Sequence, residues 1–224
     1  MVTVSNSEIL IETYPRLYHM AHAGAWPSIE RLGLMSTSAL LDLFEIMGAR
    51  RVQLESCRRG KSEEISHPTH GRALLRDQIP LNEKKLANAL LDGLTPRDWY
   101  KILNRKVFFW GPQSRLGTLQ GARAYSEHRQ TIVVIDTAQL VARHQGQILL
   151  CHMNSGASNP MAFARGLNTF LPIDEYPLVE RRRKYGIKGA VAEITVDYSV
   201  PDVSEYVTEA YEIGGGEPRR DLLT

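Results

Sequence analysis

The sequence predicts an α+β domain, because helix-forming segments fill its first half and strand-forming segments fill its second. The helical segments have apolar residues every three or four positions, whereas the later segments are short apolar runs bounded by glycine, proline or polar residues. Hydrophobic residues make up 43% of the 224 residues and charged residues 23%, the ordinary balance of a folded globular chain. We therefore expect a single domain over residues 1–213 and a flexible, glycine-rich tail over 214–224.

The first half is organised around the segment from Leu17 to Ser38. This segment begins with a short apolar strand that carries His19. It continues into a helix over residues 26–32, with Pro27 in its first turn and Gly33 as its stop. Helical spacing and capping residues predict further helices at 7–14, 39–47, 83–91 and 96–103.

The second half is rich in strand signals. Apolar and β-branched runs predict strands at 106–110, 131–136, 147–151, 190–196 and 203–211, the last being a strand or a short helix. Residues 131–136 (TIVVID) are strongly apolar and are expected to form a central strand. The polar residues 53–65 are predicted to be a surface connection. Residues 153–183 contain many glycine, asparagine and proline residues, which predicts a long functional loop ending in the basic run 181–184.

Composition and motif content argue against several classes of function. The net charge of +2 is too small to indicate a nucleic-acid partner by itself. The chain has no nucleophile elbow, P-loop or glycine-rich dinucleotide fingerprint. Cys57 and Cys151 have no motif spacing, and His22, His67 and His70 lack the partners of a metal site, so no metal is expected. No export signal or membrane-spanning run is visible, so we expect a cytoplasmic protein without a membrane partner.

Glu193 is the acid most indicative of a catalytic role, because it interrupts an apolar strand. Strand alternation places it on the opposite face from Ile194 and Val196, which are expected to face the core. Glu193 then either points into a cleft or is a solvated carboxylate on an edge strand, and the local pattern does not decide between the two. His19 is ambiguous in the same way, because a lone histidine in a strand is more often a structural hydrogen-bonding group than a catalytic one.

Several arginines are candidates for binding a phosphate group. Arg76 lies among apolar residues and Arg115 follows a Gly-Pro turn, and either guanidinium has the planar geometry that clamps a pyrophosphate. Ordinary ion pairs explain these two residues equally well. The run from Arg181 to Lys184 precedes the strand of Glu193, where it would be a phosphate-binding element, although such runs are usually solvated clusters.

Three segments together resemble the ADP-ribosyltransferase superfamily, and most closely the DarT-like DNA ADP-ribosyltransferase toxins and related uncharacterised bacterial proteins. Residues 17–34 (LYHMAHAGAWPSIERLGL) are similar to the first motif of these proteins, a strand ending in Tyr-His and a short helix ending in Gly-Leu. Residues 106–117 (KVFFWGPQSRLG) are similar to their central aromatic strand and turn, and residues 181–201 (RRRKYGIKGAVAEITVDYSVP) to their final motif. Ala21 stands where the DarT pattern usually has threonine.

The resemblance implies that NAD binds in a cleft of a split β-sheet and that its nicotinamide–ribose bond breaks through an oxocarbenium-like state. It implies that Glu193 stabilises the charge on the ribose and holds the 2′-hydroxyl, as carboxylates do in glycosidases. Arg76 would contact phosphate or activate the acceptor. The residues implied to bind NAD are His19, Ser36, Ser38, Phe109 or Trp110, and Arg115. Those implied to bind the acceptor are Asn154, Arg165, Arg181, Arg182 and Arg183.

The leading hypothesis is an ADP-ribosyltransferase that uses NAD as a substrate, needs no metal and modifies a nucleic-acid base, with DNA favoured over RNA. As a toxin or phage-defence enzyme it would have an antitoxin as a partner. Alternatives on the same fold are transfer to a protein, transfer to water by an NAD glycohydrolase, a catalytically silent nucleotide- or nucleic-acid-binding module, and an RNA 2′-phosphotransferase. Every enzymatic hypothesis requires His19 and Glu193 to line one cleft.

Overall fold

The computed structural model of the protein describes residues 4–112, 114, 117 and 127–223. Its α-helices are α1 (Asn6–Thr13), α2 (Trp26–Leu32), α3 (Thr37–Leu43), α4 (Gly48–Ser56), α5 (Glu83–Ala89), α6 (Pro96–Asn104), α7 (Thr137–His144) and α8 (Leu178–Ala190). Its strands are β1 (Arg16–His22), β2 (Leu34–Met35), β3 (Glu63–His67), β4 (Gly71–Leu75), β5 (Lys106–Phe109), β6 (Gln130–Asp136), β7 (Ile148–Cys151), β8 (Phe170–Pro172), β9 (Glu193–Asp197), β10 (Ser199–Val200), β11 (Val207–Gly214) and β12 (Glu217–Asp221). Among the described helices, none combines the length and the apolar composition that a membrane crossing requires.

Two four-stranded antiparallel sheets form the body of the fold. The first sheet has the strand order β1-β6-β11-β12, and the second has the order β5-β9-β7-β8. The pair β2–β10 and the hairpin β3–β4 are two smaller antiparallel units. Helices combined with antiparallel sheets make the α+β fold that the sequence predicts.

The two large sheets meet at Tyr18 in β1 and Trp110 just after β5. The backbone N–H of each residue donates to the carbonyl oxygen of the other at 2.9 Å. Along the described residues no further ladder joins β1 to β5, so the strands separate beyond this bridge. The separation opens a cleft between the sheets.

The larger apolar cluster lies between the sheets and their helices. β6 contributes Val133 and Ile135 to it, and β9 contributes Ile194 and Val196. β6 lies between β1 and β11, which confirms the central strand predicted at 131–136. A second cluster around Trp99 of α6 packs on the opposite face of the second sheet, so both faces of that sheet are covered.

The basic run predicted to lie in a loop is helical. Arg181 to Lys184 lie in α8, which begins at Leu178 directly after Pro177 and meets no glycine or proline before Gly186. Gly186 has a φ of 67° and kinks the helix. The segment before α8 contains β8 and short 3₁₀ turns instead of one long loop.

Two hairpins differ from the sequence prediction. The segment predicted as a surface connection contains part of α4 and the start of β3, which pairs with β4 across a turn ending at Gly71. The sequence predicts a flexible tail from Gly214, but Gly214, Gly215 and Gly216 have positive φ and form a turn that returns β12 to β11. The tail segment therefore contains a paired strand.

Gly33 separates α2 from β2 at a point with no room for a side chain. Its φ is 78°, and a Cβ there would lie 2.4 Å from both the Cα of Pro201 and the carbonyl oxygen of Val200. The next residue, Leu34, pairs with Val200 in the β2–β10 ladder. Gly33 thus permits a close backbone approach that lets β2 pair with β10.

Candidate active site

A cleft of about 920 Å³ is lined by residues of both large sheets and of the β3–β4 hairpin. Its walls come from the end of β1, the start of β5, the start of β9, and α2 with the segment that follows it. Of the residues that the sequence predicts for the site, the cleft brings together His19, Ser36, Arg76, Trp110, Asn154 and Glu193. His19 and Glu193 therefore share one cleft although they lie near opposite ends of the sequence.

Glu193 is the first residue of β9, and only 5% of its surface is exposed. Both carboxylate oxygens accept from the backbone N–H of Ser155, Oε1 at 3.1 Å and Oε2 at 3.2 Å. β9 lies between β5 and β7, which excludes a solvated carboxylate on an edge strand. The face that carries Glu193 packs on the cluster around Trp99, because α5 and α6 cover it. The carboxylate reaches the cleft because it lies at the end of the strand.

His19 lies next to the Tyr18–Trp110 bridge on β1. Its Nδ1 is 2.9 Å from the carbonyl oxygen of Phe108, and because a carbonyl only accepts, this hydrogen bond assigns the proton to Nδ1. Burial lowers the pKa of His19 to about 4, so the ring is neutral at pH 7. Nε2 is then a hydrogen-bond acceptor, which suits a hydroxyl group of a ligand.

The neutral state of His19 predicts that stability depends on pH. Because its folded pKa of about 4 lies below the ordinary 6.5, the unfolded chain binds the proton first as the pH falls. The contribution of His19 to the free energy of unfolding should be complete above pH 6.5 and decline between pH 6.5 and 4, by roughly 2–3 kcal/mol. Chemical denaturation at about pH 7.5 and pH 4.5 measures this loss.

His19→Gln is the matched variant for this measurement, because glutamine keeps a donor for the Phe108 carbonyl but does not titrate. The variant should lose clearly less stability than the wild type between the two pH values. Equal losses in the two proteins would show that the His19 ring is not held neutral by the fold.

His22 is a cleft residue that the sequence prediction considered only as a metal ligand. Its Nε2 is buried and has no hydrogen-bond partner among the residues that the structure describes. Burial, and secondarily the charge of Arg76, lowers the pKa of His22 to about 4. A neutral ring with a buried nitrogen at the wall of a cleft is a ligand-binding candidate. The sequence signal for it is its position on the same strand as His19.

Arg76 reaches the cleft because the β3–β4 hairpin ends just before it. Its Nη2 donates to Oε1 of Gln130 at 2.8 Å, which fixes the guanidinium beside β6.

Ser36 caps α3, since its Oγ accepts from the N–H of Ala39 at 3.1 Å. The Ser36 hydroxyl therefore has a structural partner as well as a position at the cleft.

Ser38 and Phe109, which the resemblance assigns to NAD binding, lie away from the cleft. Ser38 donates to Oε1 of Glu55 at 2.6 Å, so its hydroxyl is directed to α4. Phe109 is fully buried in the larger apolar cluster. Side chains alternate along β5, so its neighbours Phe108 and Trp110 line the cleft instead.

The arginines of α8 have structural contacts away from the cleft. Nε of Arg181 donates to the carbonyl of Ala190 at 2.9 Å, and Arg182 lies 3.4 Å from a carboxylate oxygen of Glu12. Arg183 is exposed on the same helix. α8 packs against α1 and supplies none of the described residues that line the cleft.

The two remaining arginines predicted for the site, Arg165 and Arg115, are not among the described residues that line the cleft. Arg165, implied to bind the acceptor, is 1% exposed and donates to backbone carbonyls inside the segment that follows β7. Arg115, implied to bind NAD, lies outside the described residues. Within the described parts of the chain, no three His, Cys, Asp or Glu side chains converge as a metal site would require.

Comparison with known proteins places the chain in a family and finds similar solved structures. A family model described as "Family of unknown function (DUF7002)" matches residues 15–207. No curated protein matches the sequence. Among solved structures, the chain is similar to "Thermosipho africanus DarTG in complex with ADP-ribose", with 14% sequence identity and a TM-score of 0.43. That match covers 88% of this chain and 43% of the DarTG chain, so this chain spans less than half of its length.

Proposed function

We propose that this chain, which belongs to the DUF7002 family of unknown function, is an NAD-dependent ADP-ribosyltransferase that modifies a nucleic-acid base. The observation that carries the proposal is the cleft that His19 and Glu193 line together. These two residues belong to separate sequence motifs that resemble ADP-ribosyltransferases, and the chemistry of those enzymes requires them in one site. The same resemblance supports DNA as the acceptor and an antitoxin as a partner.

In this proposal, NAD lies where β1 and β5 separate. The cleft volume of about 920 Å³ is at the upper end of ordinary small-molecule sites, as a dinucleotide requires. Nε2 of His19 accepts a hydrogen bond from a ribose hydroxyl, and the Trp110 ring stacks on nicotinamide. Arg76 contributes a positive charge to the pyrophosphate or the acceptor.

The reaction begins when the bond between ribose C1′ and the nicotinamide nitrogen breaks, and its electron pair leaves with neutral nicotinamide. The Glu193 carboxylate stabilises the positive charge that develops on the ribose and accepts from the 2′-hydroxyl. Both carboxylate oxygens also accept from the Ser155 N–H, so the loop and the ribose are held by the same carboxylate. A nitrogen of the acceptor base then bonds to C1′ and releases its proton to water.

Incubation with NAD labelled in its adenylate half tests the proposal. Separate reactions contain single-stranded DNA, single-stranded RNA, a protein mixture or no acceptor. Label on DNA is the expected result, and label on RNA or protein would change the acceptor. Nicotinamide release without an acceptor would indicate an NAD glycohydrolase. ADP-ribose binding without any NAD turnover would leave a silent nucleotide-binding module and would refute the transferase.

A further inference from the structure

Other residues contact the backbone of Ser155 at both its N–H and its carbonyl oxygen. Its N–H donates to both carboxylate oxygens of Glu193. Its carbonyl accepts from Nη1 of Arg165 at 2.8 Å and from Nε1 of Trp99 at 3.3 Å. The N–H and the carbonyl belong to neighbouring peptide planes that meet at the Cα of Ser155, so the two donors on the carbonyl restrain the residue that presents the N–H to the carboxylate.

Arg165 is the centre of this arrangement. Each of its three guanidinium nitrogens donates to a backbone carbonyl: Nε to Phe163 at 3.0 Å, Nη1 to Ser155 at 2.8 Å and Nη2 to Ala157 at 2.9 Å. The side chain is 1% exposed, and its guanidinium carbon lies 5.8 Å from the centre of the Trp99 ring. One buried cation thus contacts three backbone positions of the segment from 155 to 163.

The backbone of Arg165 anchors that segment to the second sheet's helical cover. Its N–H donates to the carbonyl of Ala89 at 2.9 Å, and its carbonyl accepts from the N–H of Leu91 at 2.9 Å. Both contacts lie at the end of α5. The guanidinium therefore extends from a fixed backbone point toward Ser155.

A buried guanidinium is costly unless its charge and all its donors are satisfied. Burial lowers the pKa of Arg165, and the nearby Cys151 and Glu193 partly oppose that effect. A neutral carbonyl accepts from each of its three nitrogens, and the acidic Glu193 contacts the other side of Ser155. The planar fork of arginine makes this possible, whereas a lysine ammonium in the same place has no such geometry.

We infer that Arg165 is a positioning residue for Glu193. By holding the backbone at Ser155, Arg165 keeps the Ser155 N–H on the carboxylate, so that the carboxylate stays directed at the cleft. The inference rests on the proposed function, because it assigns Arg165 to the step that Glu193 performs. It replaces the acceptor contact that the sequence resemblance implies for this residue.

The test compares Arg165→Lys and Arg165→Met with Arg97→Met, which removes an exposed arginine from α6. Nicotinamide release is measured over a range of NAD concentrations. Arg165→Lys keeps the charge but not the fork, and we expect it to lower kcat about 10- to 100-fold with KM within about threefold. Arg97→Met should match the wild type.

A double-mutant cycle with Glu193→Gln separates positioning from general damage. If Arg165 acts through the carboxylate, Arg165→Lys should change the residual rate of the Glu193→Gln enzyme by less than about threefold. A purely structural role would lower the rate by the same factor in both backgrounds. That result would overturn the inference.

If the Arg165 variants do not unfold cooperatively, and so are not properly folded, Trp99→Phe provides a second test, because Trp99 donates to the same Ser155 carbonyl. It removes one donor to Ser155 and keeps an aromatic ring, and we expect kcat to fall about 3- to 10-fold. If Arg165→Lys or Trp99→Phe is folded and has the wild-type kcat, the inference about Arg165 is refuted, while the proposed function still stands. A wild-type protein that binds ADP-ribose but never cleaves NAD would refute the proposed function and, with it, this role of Arg165.

Discussion

Glu193→Gln is expected to lower the rate of nicotinamide release roughly 10³-fold and to leave the affinity for ADP-ribose within about threefold. Glutamine has nearly the same shape and keeps an oxygen that accepts from the Ser155 N–H. It lacks the negative charge that opposes the developing charge on the ribose. Because that charge develops in the transition state, the loss should fall on kcat and not on binding.

Glu205→Gln is a suitable control, because Glu205 is an exposed acid that pairs with Arg143 and does not line the cleft. The control should cleave NAD at the wild-type rate. Ligand-dependent thermal shifts with ADP-ribose measure binding in all three proteins. Wild-type turnover by Glu193→Gln would refute the assignment of the carboxylate, and a loss confined to binding would make Glu193 a cofactor contact only.

Gly33→Ala is expected to destabilise the protein by about 3 kcal/mol or more, which corresponds to a fall of roughly 6–12 °C in Tm. The added Cβ would lie 2.4 Å from the backbone of both Val200 and Pro201, and no side-chain rotation can relieve a backbone contact. The φ of 78° adds strain for any residue with a Cβ. Relief requires β2 to move away from β10, and β2 borders the cleft.

Gly24→Ala isolates the two causes. Gly24 has a similar φ of 79°, but a Cβ there meets no heavy atom within 4 Å. We expect it to cost only about 1 kcal/mol. Thermal and urea unfolding of both variants compare the costs directly. If the two variants are equally stable, backbone strain alone explains the destabilisation of Gly33→Ala, and the contact with the backbone of Val200 and Pro201 makes no measurable contribution.

Local signals account for the elements that the sequence predicts well. α2 spans the predicted residues 26–32 because Pro27 and Gly33 define its ends within the segment itself. β6 is recognisable because a central strand is apolar on both faces. The β3–β4 hairpin and β12 are polar or exposed, so their sequences lack the periodicity that reveals a buried strand.

The candidate site likewise contains some residues that the sequence reveals and others that it does not. Glu193 and His19 can be singled out because a polar residue inside an apolar strand contrasts with its neighbours. The resemblance offers Phe109 or Trp110, which as adjacent strand residues point to opposite faces, and only the pairing of β5 with β9 decides which face borders the cleft. The role of Arg165 depends on Ser155 and Trp99, which are distant along the chain, and no local pattern encodes those contacts.

The order in which the chain supplies its strands has a consequence for biosynthesis. β1 belongs to the first sheet, β5 to the second, β6 to the first, β7 to β9 to the second, and β11 to the first again. The latest strand of the second sheet, β9, inserts between β5 and β7, so the wall that carries Glu193 forms only once the chain has been made through Asp197. A fragment of this chain that stops before β9 therefore lacks the wall of the cleft that carries Glu193.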